Sequence, residues 1–175
     1  MDPSRQRIAK IELDERTVVR RNPDVEHERA VAIFDLLEEN SFALAGNDQG
    51  PYQLYLGIEE NRLVLDVRSR DGEPCERIQM ALNTFRTVVK DYFMVCETYY
   101  EAIKRSSPSQ IEALDMGRRA LHNEGSELLR ERLKERVTLD FNTARRLFTL
   151  ICVLHIQIGR APSELQSHVR ISYAV

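Results

Sequence analysis

The chain has 175 residues and a mass of 20.3 kDa, a size that suits one domain around one buried core. A hydrophobic fraction of 42% and a charged fraction of 30% are those of a folded globular protein and exclude a disordered one. Lys and Arg total 25 against 28 Asp and Glu, so the net charge is −3; the charges interleave, as in residues 127–136, and nucleic acid is not an expected partner.

The chain starts Met1-Asp2-Pro3-Ser4-Arg5 with no apolar run of the kind a signal peptide needs, and residues 1–7 read as a flexible end. Residues 8–19 carry Ile8, Ile11, Leu13, Val18 and Val19, a strand with a turn near Asp14. Asn22-Pro23-Asp24 marks a helix start, with Glu26 and Glu28 at the positive end of its dipole. Ala30, Val31, Ile33, Phe34, Leu36 and Leu37 continue that helix at helical spacing to about Glu39.

Residues 45–51 form a loop by composition, and period-two alternation follows. Tyr52, Leu54, Leu56 and Ile58 define one buried face, then Leu63, Leu65 and Val67, then Ile78, Met80 and Leu82. Tight turns at residues 59–62 and at Asp71-Gly72 make these three strands a meander, which the N-terminal strand is expected to complete.

From Asn83 the period becomes helical, and residues 84–105 predict a long core helix through Phe85, Val88, Val89, Tyr92, Phe93 and Cys96. Ser107-Pro108-Ser109-Gln110 is a capping box with Pro in the first turn. Gly125-Ser126 predicts an end to that helix and the cap of another. Residues 137–139 predict a short strand, and Asp140 caps a last helix carrying Phe141, Ala144, Leu147, Phe148, Ile151, Cys152 and His155. Residues 159–175 read as a second flexible end.

The expected fold is therefore a single α+β domain, residues 1–175, with a small antiparallel sheet of three to four strands and four to five helices, most on one face. Residues 84–105 and 141–156 are expected to form its central helical layer. The longest apolar stretch, residues 147–158, is interrupted by Thr149, His155 and Gln157 and falls short of the ~20 apolar residues that span a bilayer. Three scattered cysteines make neither a disulfide framework nor a C-x-x-C pair, which points to a reducing cytoplasm.

Known catalytic and ligand motifs fail individually. Gly46-x-x-x-Gly50 lacks the Lys-Ser/Thr of a phosphate loop. His122-Asn123-Glu124 matches half of a zinc deaminase signature, but no P-C-x-x-C follows. Adjacent acids such as Glu59-Glu60 point to opposite faces of a strand, and no H-E-x-x-H occurs. No metal or cofactor is expected. Cys75 should be the most exposed cysteine, with Cys96 and Cys152 in the core. Tyr92, Tyr99 and Tyr100 read first as core and second as a pocket wall or interface.

One constellation survives. On a helix, Asp115, Arg118, Arg119 and His122 fan over about 100° of arc. Arg118 and Arg119, with Asn123, could bind a phosphate or carboxylate, while His122 acts as acid or base, oriented by Asp115 or Glu124. The simpler reading of the same residues is a solvated helix face of ion pairs, since surface charge clusters outnumber sites. Two functions follow. One is a non-enzymatic cytoplasmic binding or regulatory protein, a homo-oligomer through its wide apolar helices. The other is an enzyme or sensor for a small anionic molecule.

The segments of residues 50–66, 115–133, 21–29 and 144–155 resemble an uncharacterised family of short alphaproteobacterial proteins of unknown function. The resemblance covers roughly residues 8–156 and leaves the tail outside it. It implies a bacterial cytoplasmic protein and assigns no activity, cofactor or site residue.

Overall fold

The structure, a computed structural model, describes residues 2–15 and 23–157. A 3-10 turn, Pro3–Arg5, precedes β1 (Ile8–Leu13), α1 (Pro23–Glu38), β2 (Phe42–Leu44), β3 (Tyr52–Glu59), β4 (Arg62–Arg68) and β5 (Pro74–Ala81). Then come α2 (Asn83–Arg105), α3 (Pro108–Leu133), β6 (Val137–Leu139) and α4 (Phe141–Gln157). The fold is α+β, as expected. Val18, Val19, Asn22 and the tail from residue 159 lie outside the described residues.

The meander forms as its alternation requires. Leu54 pairs with Val67 and Leu56 with Leu65, and Leu65 in turn with Ile78, so the apolar residues share one face. Glu60 and Asn61 turn the first hairpin with φ of 51° and 63°, and Gly72 takes φ 89° in the second. There the Ser69 hydroxyl accepts from the amides of Asp71 (3.3 Å) and Glu73 (3.1 Å). The N-terminal strand completes the sheet, in the order β1-β3-β4-β5, but β1 runs parallel to β3 and the sheet is mixed. The reason is topological: α1 and β2 intervene, and such a crossover returns the chain in the same direction. At the outer edge of β1 the Asn40 side chain replaces a neighbouring strand. Its carbonyl accepts from the Ile8 amide at 2.7 Å and its amide donates to the Ile8 carbonyl at 3.0 Å.

The helices cover the apolar face of the sheet. α4 is the central one, packed between α1 and α3 and against β3, with every residue from Leu150 to His155 buried. α2 packs on α3 and beside β5, flanking α4 rather than sharing the centre with it. Residues 42–44 hold a strand that three residues are too few to announce; it pairs antiparallel with β6, Phe42 opposite Leu139. Gln6 and Arg7 are hydrogen-bonded to the rest of the fold. Arg7 donates to the Leu37 carbonyl at 2.8 Å, and the carbonyls of Gln6 and Arg7 accept from Phe42 and Tyr52. No helix of the described residues is long and apolar enough to cross a membrane.

Local capping follows the sequence closely. Ser107 accepts from the Gln110 amide at 3.4 Å while the Gln110 side chain accepts from the Ser107 amide at 3.2 Å. Asp140 accepts from the Thr143 amide at 2.8 Å. Gly125-Ser126, however, breaks nothing, and α3 runs through to Leu133. The Ser126 hydroxyl turns back to the His122 carbonyl at 2.7 Å, which leaves the helix ladder intact. Gly125 is there for packing, since a Cβ at that position would overlap the buried Phe148 ring of α4.

That contact sets an expectation. Gly125→Ala should destabilise the protein by about 1–3 kcal/mol in urea unfolding, despite the better helix propensity of Ala. Adding Phe148→Leu should cost less in the Gly125→Ala background than in the wild type, because the smaller side chain makes room for the methyl group.

Candidate functional site

Helical spacing brings Asp115, Arg118 and Arg119 together on α3. Arg118 donates to Asp115 Oδ1 from Nη2 at 2.6 Å and from Nε at 3.2 Å, while Arg119 Nε lies 3.0 Å from Oδ2. Both carboxylate oxygens are thus engaged, and the Arg118 hydrogen bonds hold the Asp115 pKa below its ordinary value. The two arginines differ in setting. Arg118 lies half-buried with its guanidinium 5.3 Å from the centre of the Tyr99 ring, whereas Arg119 is 68% exposed. Asn123 and Glu124 point to solvent and do not join the cluster.

His122 sits one turn further on, inside the seam between α3 and α4. Its ring meets Tyr92 and Phe148 edge-on at 5.4 and 5.2 Å. His122 Nε2 is 2.9 Å from Thr149 Oγ1, and that hydroxyl donates its one hydrogen to the Arg145 carbonyl at 3.1 Å. Nε2 must therefore carry the proton, which leaves Nδ1 a bare acceptor, buried and without a partner among the described residues. Burial, reinforced by Arg145, Arg118 and Arg146, pushes the His122 pKa down to about 4. Near neutral pH the ring is uncharged.

Sequence reasoning missed the group facing Arg118 from another helix. Glu28 of α1 is half-buried, and burial raises its pKa to about 7 although the Arg118 charge pulls it down. Buried Tyr92 and Cys96 of α2 and Cys152 of α4 lie within electrostatic reach of the same acid, their own pKa values raised chiefly by burial. A signal existed: Glu28 stands four and eight residues before Ala32 and Leu36, which are buried residues of α1. Cys96 and Cys152 are buried, as expected, while Cys75 is half-buried, and its Sγ is 3.4 Å from Gln49 Oε1.

None of the six predicted residues lines the groove of about 390 Å³ on the outer face of the main sheet. Its floor is Gly57 and Val64, and both of its arginines are paired within it, Arg68 with Asp66 at 3.2 Å and Arg77 with Glu59 at 2.6 Å, while Glu12, Asp14 and Glu15 add acidic groups to the lining. Among the described residues no group of His, Cys, Asp and Glu is placed to hold a metal ion.

The two kinds of buried titratable group act on stability with opposite sign. Glu28 ionises at 4.5 when unfolded and near 7 when folded, so its contribution is complete below 4.5 and lost as pH rises through 7. His122 and buried His155, both held near 4 against 6.5 unfolded, contribute above 6.5 and lose that contribution as pH falls toward 4. Glu28→Gln should accordingly melt about 5 °C above the wild type at pH 8 and level with it at pH 4.5. Equal melting temperatures at pH 8 would show that the folded chain carries an ionised Glu28 at no cost.

Comparison with other proteins places the chain in a family. The UPF0262 protein of Paramagnetospirillum magneticum is 63% identical over 155 residues, covering 89% of this chain and 99% of that one. The UPF0262 protein of Hyphomonas neptunium is 55% identical over 156 residues, covering 89% and 96%. That of Rhodospirillum rubrum is 59% identical over 145 residues, covering 83% and 89%. No solved structure matches. The family profile spans residues 5–157, from the N-terminal turn to the end of α4, and the chain belongs to the uncharacterised protein family UPF0262.

Proposed function

We propose that this protein is a non-enzymatic binding or regulatory protein of the bacterial cytoplasm that works as a homo-oligomer. The state of His122 carries the reading. A general acid or base must reach its substrate and change protonation near the working pH. Here Nε2 is committed to Thr149, the ring is wedged between Tyr92 and Phe148, and burial keeps it neutral. Asp115, its intended orienting partner, spends both oxygens on Arg118 and Arg119. The three free thiols suit a reducing compartment.

One observation favours a second reading, a sensor for a small phosphate or carboxylate. Arg145 Nε, within electrostatic reach of His122, is buried without a hydrogen-bond partner among the described residues, and an unsatisfied buried donor is costly. An anion reached by Arg118 or Arg119 as well would satisfy it.

Sedimentation equilibrium at micromolar concentrations is expected to return at least twice the chain mass of 20.3 kDa. A monomer at every concentration overturns the homo-oligomeric part. Turnover of phosphate or carboxylate esters that disappears in His122→Gln overturns the non-enzymatic part. For the second reading, inorganic phosphate should raise the melting temperature of the wild type and leave Arg145→Gln unmoved.

A further inference from the structure

The two edges of the main sheet are treated differently. Edge strands expose rows of unpaired amides and carbonyls, which monomeric proteins blunt with proline, bulges, lysine or a covering segment. At β1 the side chain of Asn40 occupies both backbone groups of Ile8. At β5 the corresponding devices, Pro74 and a break in register at Val67/Arg68, are confined to the start of the strand. Beyond them the strand is regular to Ala81.

The backbone directions of β5 follow from its register. Leu82 donates to the Asn61 carbonyl at 3.0 Å, and Ala81 stands opposite Arg62, Met80 opposite Leu63. In an antiparallel ladder the bonding direction alternates, so Leu82, Met80 and Ile78 turn their backbone groups toward β4. Arg77, Gln79 and Ala81 therefore turn theirs outward. All three are exposed, and among the described residues nothing accepts from their amides.

We propose that this free edge of β5 is the surface on which two copies of the chain pair, antiparallel about a two-fold axis at Gln79, joining their two four-stranded sheets into one. The inference rests on the homo-oligomeric reading and adds the place and the register. Arg77, Gln79 and Ala81 are symmetric about Gln79, so an axis there bonds every outward residue, Gln79 to its copy and Arg77 to Ala81. The same register sets buried Ile78 opposite half-buried Met80 of the second copy, apolar against apolar. Moving the axis to Arg77 would oppose two guanidiniums and strand Ala81; moving it to Ile78 would pair Ala81 with Cys75, at the register break. Arg77 also keeps its bridge to Glu59 of its own chain, 2.6 Å long.

Gln79→Pro tests this directly, because it removes an amide that points away from β4 and leaves the ladder within the chain complete. By sedimentation its dimer dissociation constant should rise roughly 10- to 100-fold, with the far-ultraviolet circular dichroism of the wild type. In a Cys75→Ser background, Gln79→Cys should be joined to its copy by a short bismaleimide, and Gln110→Cys, exposed at the start of α3, should not. This cross-link decides the matter if the proline variant does not fold. A dimer that survives Gln79→Pro and does not cross-link at residue 79 overturns the edge and spares the homo-oligomer. A wild-type monomer overturns both.

Discussion

The bare backbone of Gly125 lets α3 and α4 meet at the Phe148 ring, and much of the helical layer is arranged around that approach. With the helices this close, His122 reaches Thr149 across the seam, and its ring can lie edge-on between Tyr92 and Phe148. α4 is then enclosed by α3, α1 and β3, which explains why its second half is apolar on all sides and buries even His155. A helix of that kind has no independent existence; its stability comes from its neighbours.

Elements governed by local rules were legible in the sequence. The meander follows from alternation, the hairpin from a turn that tolerates positive φ, and the start of α3 from Ser107 and Gln110. Elements governed by tertiary contacts were not. Gly125-Ser126 has the composition of a helix break, and only the Phe148 ring reveals it as a packing notch. The direction of β1 depends on a crossover, and β2 exists because β6 is beside it. At the candidate site the Asp115–Arg118–Arg119 contacts were readable from spacing along one helix. The depth of His122 and the approach of Glu28 to Arg118 were not, since each requires a second helix in place.

The interior between the helices is consequently not uniformly oily. Glu28 from α1, Tyr92 and Cys96 from α2, Arg118 and His122 from α3, and Thr149 and Cys152 from α4 bring polar atoms into a layer otherwise built of leucine, phenylalanine and valine. Such groups contribute less to stability than apolar side chains of the same volume. Their effect is to make the relative placement of four helices depend on specific pairings, so that a shift of one helix is felt as a lost hydrogen bond or an exposed charge.

A sheet with two open edges that pair head to tail can grow without limit, and the product is a fibre. By occupying the backbone of Ile8, Asn40 blocks the start of one of those edges. Growth through that edge would first have to displace this side-chain amide from Ile8, which disfavours an open-ended polymer relative to a closed particle.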